Sequence, residues 1–151
     1  MNRLGHLVTG FIVGLLIIIG LNYFFGWYEL ELSNWIKIII YFLIIIIYSL
    51  LPDVDHKSGT ITWWFMGLGI GGIIYSLFIM DKIFFLYSLG LLTFTYVAAE
   101  YFSHRGFIHS IIFGLIASSP LYFIFGWPEA VLAFACFFSH LCADKLWFKL
   151  I

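Results

Sequence analysis

The side chains of this sequence best suited to chemistry are imidazoles and carboxylates, and they recur in four short groups. These are Gly5-His6, Leu51-Pro52-Asp53-Val54-Asp55-His56, Glu100-x3-His104-Arg105-Gly106-x2-His109-Ser110 and Ser139-His140-x3-Asp144, which between them hold all five histidines. Imidazole nitrogen and carboxylate oxygen are the donors that hold zinc and similar divalent cations, which acidify bound water and polarise phosphoryl oxygens. Glu100 with His104 and His140 with Asp144 are each four residues apart, so a helix presents both members of a pair on one face, in chelate geometry. Asp53, Asp55 and His56 follow Pro52, which stops a helix, and so offer three donors from an irregular loop able to bend around an ion. His109 is expected in the first turn of the helix that follows, and His6 near the start of the first.

The elements that must carry these groups are dictated by composition. The 151-residue chain is 64% hydrophobic and 10% charged, with a mean hydropathy of +1.09. A water-soluble domain of that makeup could not cover its apolar surface. At about 20 residues per spanning helix the chain holds roughly six spans with short connections. The expected architecture is all-α: one polytopic membrane helical bundle over residues 1–151, without a second domain. A net charge of −1 provides no basic stripe for a polyphosphate backbone, which argues against nucleic acid as a partner. Cys136 and Cys142 have neither CxxC spacing nor a third cysteine and read as small core hydrophobes. Met1-Asn2-Arg3 before a long apolar run has the charge pattern of a signal peptide but lacks a cleavage site before Asn22, so the run reads as a retained first span.

Apolar segments run from Leu7 to Gly26, Trp35 to Leu51, Ile61 to Met80, Ile83 to Ala99, Phe107 to Trp127 and Glu129 to Ala143. Their breaks are marked by Glu29 and Glu31, by Pro52, by a tight turn at Asp81-Lys82, by Arg105-Gly106 and by Pro128-Glu129. The tryptophans fall near segment ends, as interfacial anchors do. Counting six spans puts both termini and the loops at 52–60 and 100–106 on one face. That face carries Arg3, Lys57, Arg105, Lys145 and Lys149 against Lys37 and Lys82 opposite, so the excess of positive charge makes it cytoplasmic. Every histidine lies on it. The metal site is therefore expected at the cytoplasmic rim of an inner-membrane protein.

Taken singly, each residue has an ordinary reading. His6 could be a hydrogen-bonded interfacial anchor, Asp53 and Asp55 could cap a helix, and Glu100 could pair with Arg105. What these readings leave unexplained is the deficit elsewhere, since no histidine occurs in an opposite-face loop or mid-span.

His6-x3-Gly10, the Leu51 to His56 run, His104-Arg105-Gly106-x2-His109-Ser110 and His140-x3-Asp144 together resemble the YdjM-like family of bacterial and archaeal inner-membrane proteins, described as membrane-bound metal-dependent hydrolases. The resemblance covers essentially the whole chain and implies hydrolase activity. A looser similarity links His140-x3-Asp144 to the zinc-dependent phospholipase C and P1-type nuclease group, helical phosphodiesterases with a trinuclear zinc site. Those enzymes are secreted, use a processed N-terminal tryptophan as a ligand, and carry His-x3-Asp or His-x3-Glu where this chain has Glu100-x3-His104.

The function expected is metal-dependent hydrolysis of a lipid phosphate, phospholipid or polyprenyl phosphate, on two or three ions of zinc, with manganese or iron as alternatives at carboxylate-rich positions. The candidate ligands are His6, Asp53, Asp55, His56, Glu100, His104, His109, His140 and Asp144. Arg105 would clamp the phosphate with Lys57 adding charge, while Asp53 or Asp55 would bridge ions or accept a proton. The rival readings are a metal-ion transporter or sensor, whose donors would ordinarily lie near the bilayer midplane, and a di-iron lipid oxidase, which needs more histidines. An intramembrane metalloprotease is disfavoured because HExxH is absent.

Overall fold

A computed structural model describes residues 3–26, 35–57, 59–101 and 106–144. Every regular element among them is helical: α1 (Arg3–Phe25), α2 (Trp35–Leu50), α3 (Thr60–Ile79), α4 (Lys82–Tyr101), α5 (Ile111–Ile124) and α6 (Trp127–Ala143), with 3-10 turns at Leu51–Asp55 and Phe107–His109. Each predicted apolar segment has become one of these helices. Four stretches, Leu4–Phe25, Trp35–Asp55, Thr60–Ile79 and Lys82–Tyr101, are long and apolar enough to cross a membrane. The last two helices, of 14 and 17 residues, are shorter. At 1.5 Å per residue α5 spans only about 21 Å, against a hydrocarbon core of about 30 Å. It is cut short at its start because the chain from Phe107 to His109 is wound as a 3-10 turn.

The chain divides into two compact units, one of Met1–Pro52 with His109–Ile151 and one of Asp53–Ile108. In the first, α6 packs against α1, α2 and α5. It is accordingly the most buried helix, with Leu132, Ala133, Cys136, Phe137, His140 and Leu141 inaccessible. Ile18, Tyr41, Ile44 and Ile45 join Leu132, Ala133 and Cys136 in its core. Because lipid is as apolar as leucine, such helices associate through close van der Waals contact, which small residues permit. Gly114 is one such position: a Cβ there would lie 2.5 Å from the Phe137 ring, so α5 and α6 reach their separation only without it. Tyr48 donates its hydroxyl proton to the Ala117 carbonyl at 2.7 Å, tying α2 to α5. Pro120 inside α5 cannot donate to Ile116, and Ser119 Oγ supplies that carbonyl at 2.8 Å instead.

The second unit is the α3–α4 hairpin. Its turn forms where Asp81-Lys82 predicted it: Met80 takes a left-handed conformation at φ 55°, and Asp81 Oδ1 caps α4 by accepting from Ile83 N and Phe84 N at 2.9 and 3.0 Å. At the other end, the segment after Pro52 differs from the irregular loop expected. It stays wound as a 3-10 turn through Asp55, because Pro52 removes a donor to the α-helical ladder while the shorter spacing still closes from His56 N to Asp53 O at 3.1 Å. Thr62 Oγ1 then lies 2.9 to 3.4 Å from the carbonyls of Asp53, Val54 and His56. A Cβ at Gly59 would approach the Asp53 carbonyl to 2.6 Å, so this tight return also needs a glycine.

Lys57 Nζ donates to Glu100 Oε2 at 2.6 Å in the same unit, closing that end of the hairpin. The sequence points to Glu100 chelating with His104 or pairing with Arg105; among the described residues it pairs with Lys57. Since the two side chains are 66% and 37% exposed, the pair is solvated, and Glu100→Gln is expected to change thermal stability in detergent by less than about 1 kcal/mol. A cost several times larger would show that the pair carries structural weight that a solvated ion pair does not.

Candidate metal centre

Three of the sequence-predicted ligands converge at one end of the first unit. His6 in the first turns of α1, His140 in the last turn of α6 and Asp144 just beyond it each offer a donor atom, and these atoms all lie within 4.8 Å of one another. His6 Nε2 is 3.3 Å from Asp144 Oδ1, and His140 Nε2 is 3.6 Å from Asp144 Oδ2. The second contact realises the four-residue spacing expected of His140 and Asp144. Donors held about 2.1 Å from a tetrahedral ion lie about 3.4 Å apart, and these two separations, one to each Asp144 oxygen, are close to that value.

A local reason fixes each side chain. His140 Nδ1 lies 2.7 Å from the Ser49 carbonyl of α2, and a carbonyl only accepts, so Nδ1 carries the proton. That tautomer leaves the Nε2 lone pair directed to the Asp144 side, the arrangement by which a backbone carbonyl ordinarily orients a metal-binding histidine. The His6 and His140 rings stack at a centroid distance of 3.8 Å and an interplanar angle of 11°. Burial pushes the Asp144 carboxyl up, but His140 and then His6 beside it pull it down, and the net result is a value below the ordinary one. Asp144 is thus held ionised as a ligand must be. Its stabilising contribution is present above the ordinary carboxylate range and is lost as pH falls through the lowered value.

Gly10, one turn along α1 from His6, explains the spacing His6-x3-Gly10. A Cβ there would collide with Ser49 Oγ and meet Ser139 Oγ at 3.7 Å, so its absence is what brings α1 against α2 and α6 beneath the histidines. Cys136 donates its thiol to the Gly10 carbonyl at 3.6 Å, in keeping with a cysteine acting as a small buried residue.

His109 is fully buried and sits edge-on to His140, with centroids 5.6 Å apart. It lies in the 3-10 turn ahead of α5 and not in that helix's first turn as expected. The cause is Ser110, which adopts an extended conformation and caps α5 by accepting from Phe113 N at 3.1 Å. In the second unit Asp55 is buried, Asp53 half-buried and His56 exposed. His104 and Arg105 lie outside the described residues. Missed by the sequence reading were Ser49, whose contribution is a backbone carbonyl that no side-chain pattern encodes, and Thr62 with Gly59.

Helices of this length and hydropathy, with two imidazoles and a carboxylate gathered at one end of a packed unit, define an integral membrane protein with a His/Asp cluster that could hold a metal ion. The chain belongs to the YdjM inner membrane protein family, whose model matches residues 1–149. No curated protein and no solved structure matches it.

Proposed function

We propose that this protein is a metal-dependent hydrolase of lipid phosphates. The observation that supports this best is the His6–His140–Asp144 cluster, with donor separations of 3.3 and 3.6 Å and a histidine tautomer fixed by Ser49. Two histidines and one carboxylate leave a fourth tetrahedral position open, which is the ligand count of catalytic and not of structural zinc. Bound there, a divalent cation supplies Lewis acidity toward a phosphoryl oxygen and brings water to a pKa near neutrality.

The chain's own residues do the rest. Asp144 and the two neutral imidazoles hold the charge, and the burial of His6 and His140 keeps bulk water from competing. The further ions expected from the sequence would draw on Asp53, Asp55, His56, His104 and His109. Arg105 is the proposed phosphate clamp. Lys57, already engaged with Glu100, would have to exchange that partner to assist. The excess of basic residues flanking the histidine-bearing ends makes this face cytoplasmic. Donors at helix ends favour chemistry at headgroup depth over transport, which uses sites near the midplane.

The test is hydrolysis by full-length protein reconstituted with zinc in phospholipid vesicles doped with phosphatidic acid and, separately, polyprenyl phosphate. Release of phosphate or headgroup that a chelator stops and zinc restores is expected. Zinc flux into the vesicles without hydrolysis would instead establish a transporter.

A further inference from the structure

The turn that joins α5 to α6 marks one face of the first unit. The chain leaves the helical ladder at Phe125 and Gly126, and because irregular backbone is not found against lipid hydrocarbon, this turn lies at the boundary of the membrane with water. Tyr23, Tyr122 and Trp127 are exposed around it, residue types that anchor at that boundary. Phe25 meets Trp127 edge-to-face with centroids 5.3 Å apart, so α1 finishes at the same end. From Trp127, α6 reaches His140 after thirteen residues, about 20 Å along its axis. Tilt only lowers that height, so it is a ceiling. α1 has about 28 Å of helix between its matching contacts, Phe25 on Trp127 and His6 on His140, and slant absorbs the surplus. α5 agrees from the outside: its lipid-exposed apolar residues run from Ile112 to Phe125, again about 20 Å, and stop against the fully buried Ser110 and His109.

A bilayer core is about 30 Å thick, so the His6–His140–Asp144 cluster ends about 10 Å short of the headgroups on its own side of an unperturbed membrane. We infer that the bilayer is thinned by about that distance beside α5, so that the phosphates of the near leaflet come level with the cluster; this deepens the hydrolase reading above and rests on it. The alternative is a cluster sunk in hydrocarbon. His109, Ser110, His140 and Asp144 all gather at this end, and ionisable groups held at such a depth draw water inward and thin the lipid around them. A span shorter than the hydrocarbon acts on the lipid in the same sense. α5 is the flank concerned, because α6 is enclosed by α1, α2 and α5 while α5 presents Leu115, Ile116 and Phe123 to the bilayer. A lipid phosphate is then offered to the cluster without the lipid leaving its leaflet, and bilayer thickness becomes a control on the reaction.

The experiment uses the full chain in phosphatidylcholine vesicles doped with phosphatidic acid, with monounsaturated acyl chains of fourteen, eighteen or twenty-two carbons. A nitroxide attached through Ile112→Cys, with Cys136→Ala and Cys142→Ala removing the native thiols, reports its depth by collisions with oxygen and with a water-soluble nickel chelate. Leu16→Cys, exposed midway along α1, is the mid-bilayer reference. In eighteen-carbon vesicles the label at 112 is expected at the level of the phosphates, about 10 Å shallower than a flat bilayer places it, while the label at 16 stays in hydrocarbon. In the unlabelled wild type, zinc uptake is expected to slow at least about tenfold from eighteen to twenty-two carbons, since the thicker leaflet resists the larger deformation. A label at 112 surrounded by hydrocarbon, or zinc uptake indifferent to chain length, would overturn the inference while leaving the hydrolase reading standing. A label at phosphate level with no phosphatidic acid hydrolysed at any thickness would sink the hydrolase reading alone.

Discussion

His140→Ala is expected to lower the affinity for zinc by more than about 100-fold and to reduce lipid-phosphate hydrolysis to background. Losing an outer partner of a metal ligand ordinarily costs about 10–100-fold, and here the ligand itself is removed along with the ring that stacks on His6. The alanine also frees the Ser49 carbonyl inside a packed unit, which adds a stability cost of about 1–3 kcal/mol. His140→Asn separates the two effects. Its amide can donate to the Ser49 carbonyl and so recover stability without offering a nitrogen lone pair to an ion. Stability rescued with metal still absent is the expected pattern, read by thermal unfolding and elemental analysis of the same preparations. A His140→Ala protein that retains full metal would remove His140 from the ligand set.

The second large effect is expected from a residue with no chemistry of its own. Gly10→Val places a branched side chain where even a Cβ would overlap Ser49 Oγ and lie 2.6 Å from Ser49 Cβ. The helices must then separate at the level of the cluster. Overpacking of this kind costs about 1–3 kcal/mol, and because His6 precedes Gly10 by one turn and Ser49 orients His140, metal affinity should fall at least tenfold as well. Gly20→Ala in the same helix is the internal control. Nothing lies within 4 Å of a Cβ at that position, so the change should be neutral or stabilise by up to about 1 kcal/mol through helix propensity. Equal behaviour of the two variants in detergent melts and zinc titrations would show that α1 does not approach α2 as described.

Much of this was legible in the residue order, for reasons that differ between elements. The helices were readable because hydropathy in a membrane chain is imposed by the solvent along each whole segment, and Pro52, Asp81-Lys82 and Pro128-Glu129 interrupt it chemically. The pairing of His140 with Asp144 was readable because four residues on a helix is a rigid ruler. The bringing together of His6 and His140 was suggested only by their shared end of the spans, since 134 positions separate them and only helix packing decides which faces meet. The 3-10 windings around Asp53 and His109 were not legible. They depend on competition between a proline or a serine cap and the next hydrogen bond, a balance of about 1 kcal/mol that residue type alone does not settle. The Lys57–Glu100 pair escaped notice because Arg105 is nearer to Glu100 in sequence, while the loop after Pro52 returns Lys57 to the end of α4.

The most direct measurement is X-ray absorption at the zinc edge of wild-type protein purified in detergent and loaded with one equivalent of the metal. The expected first shell contains only nitrogen and oxygen at about 2.0–2.1 Å, with the multiple-scattering signature of two imidazoles. Sulfur at about 2.3 Å, which would bring Cys136 or Cys142 into the shell, or the failure of zinc to survive gel filtration, would contradict a centre built from His6, His140 and Asp144.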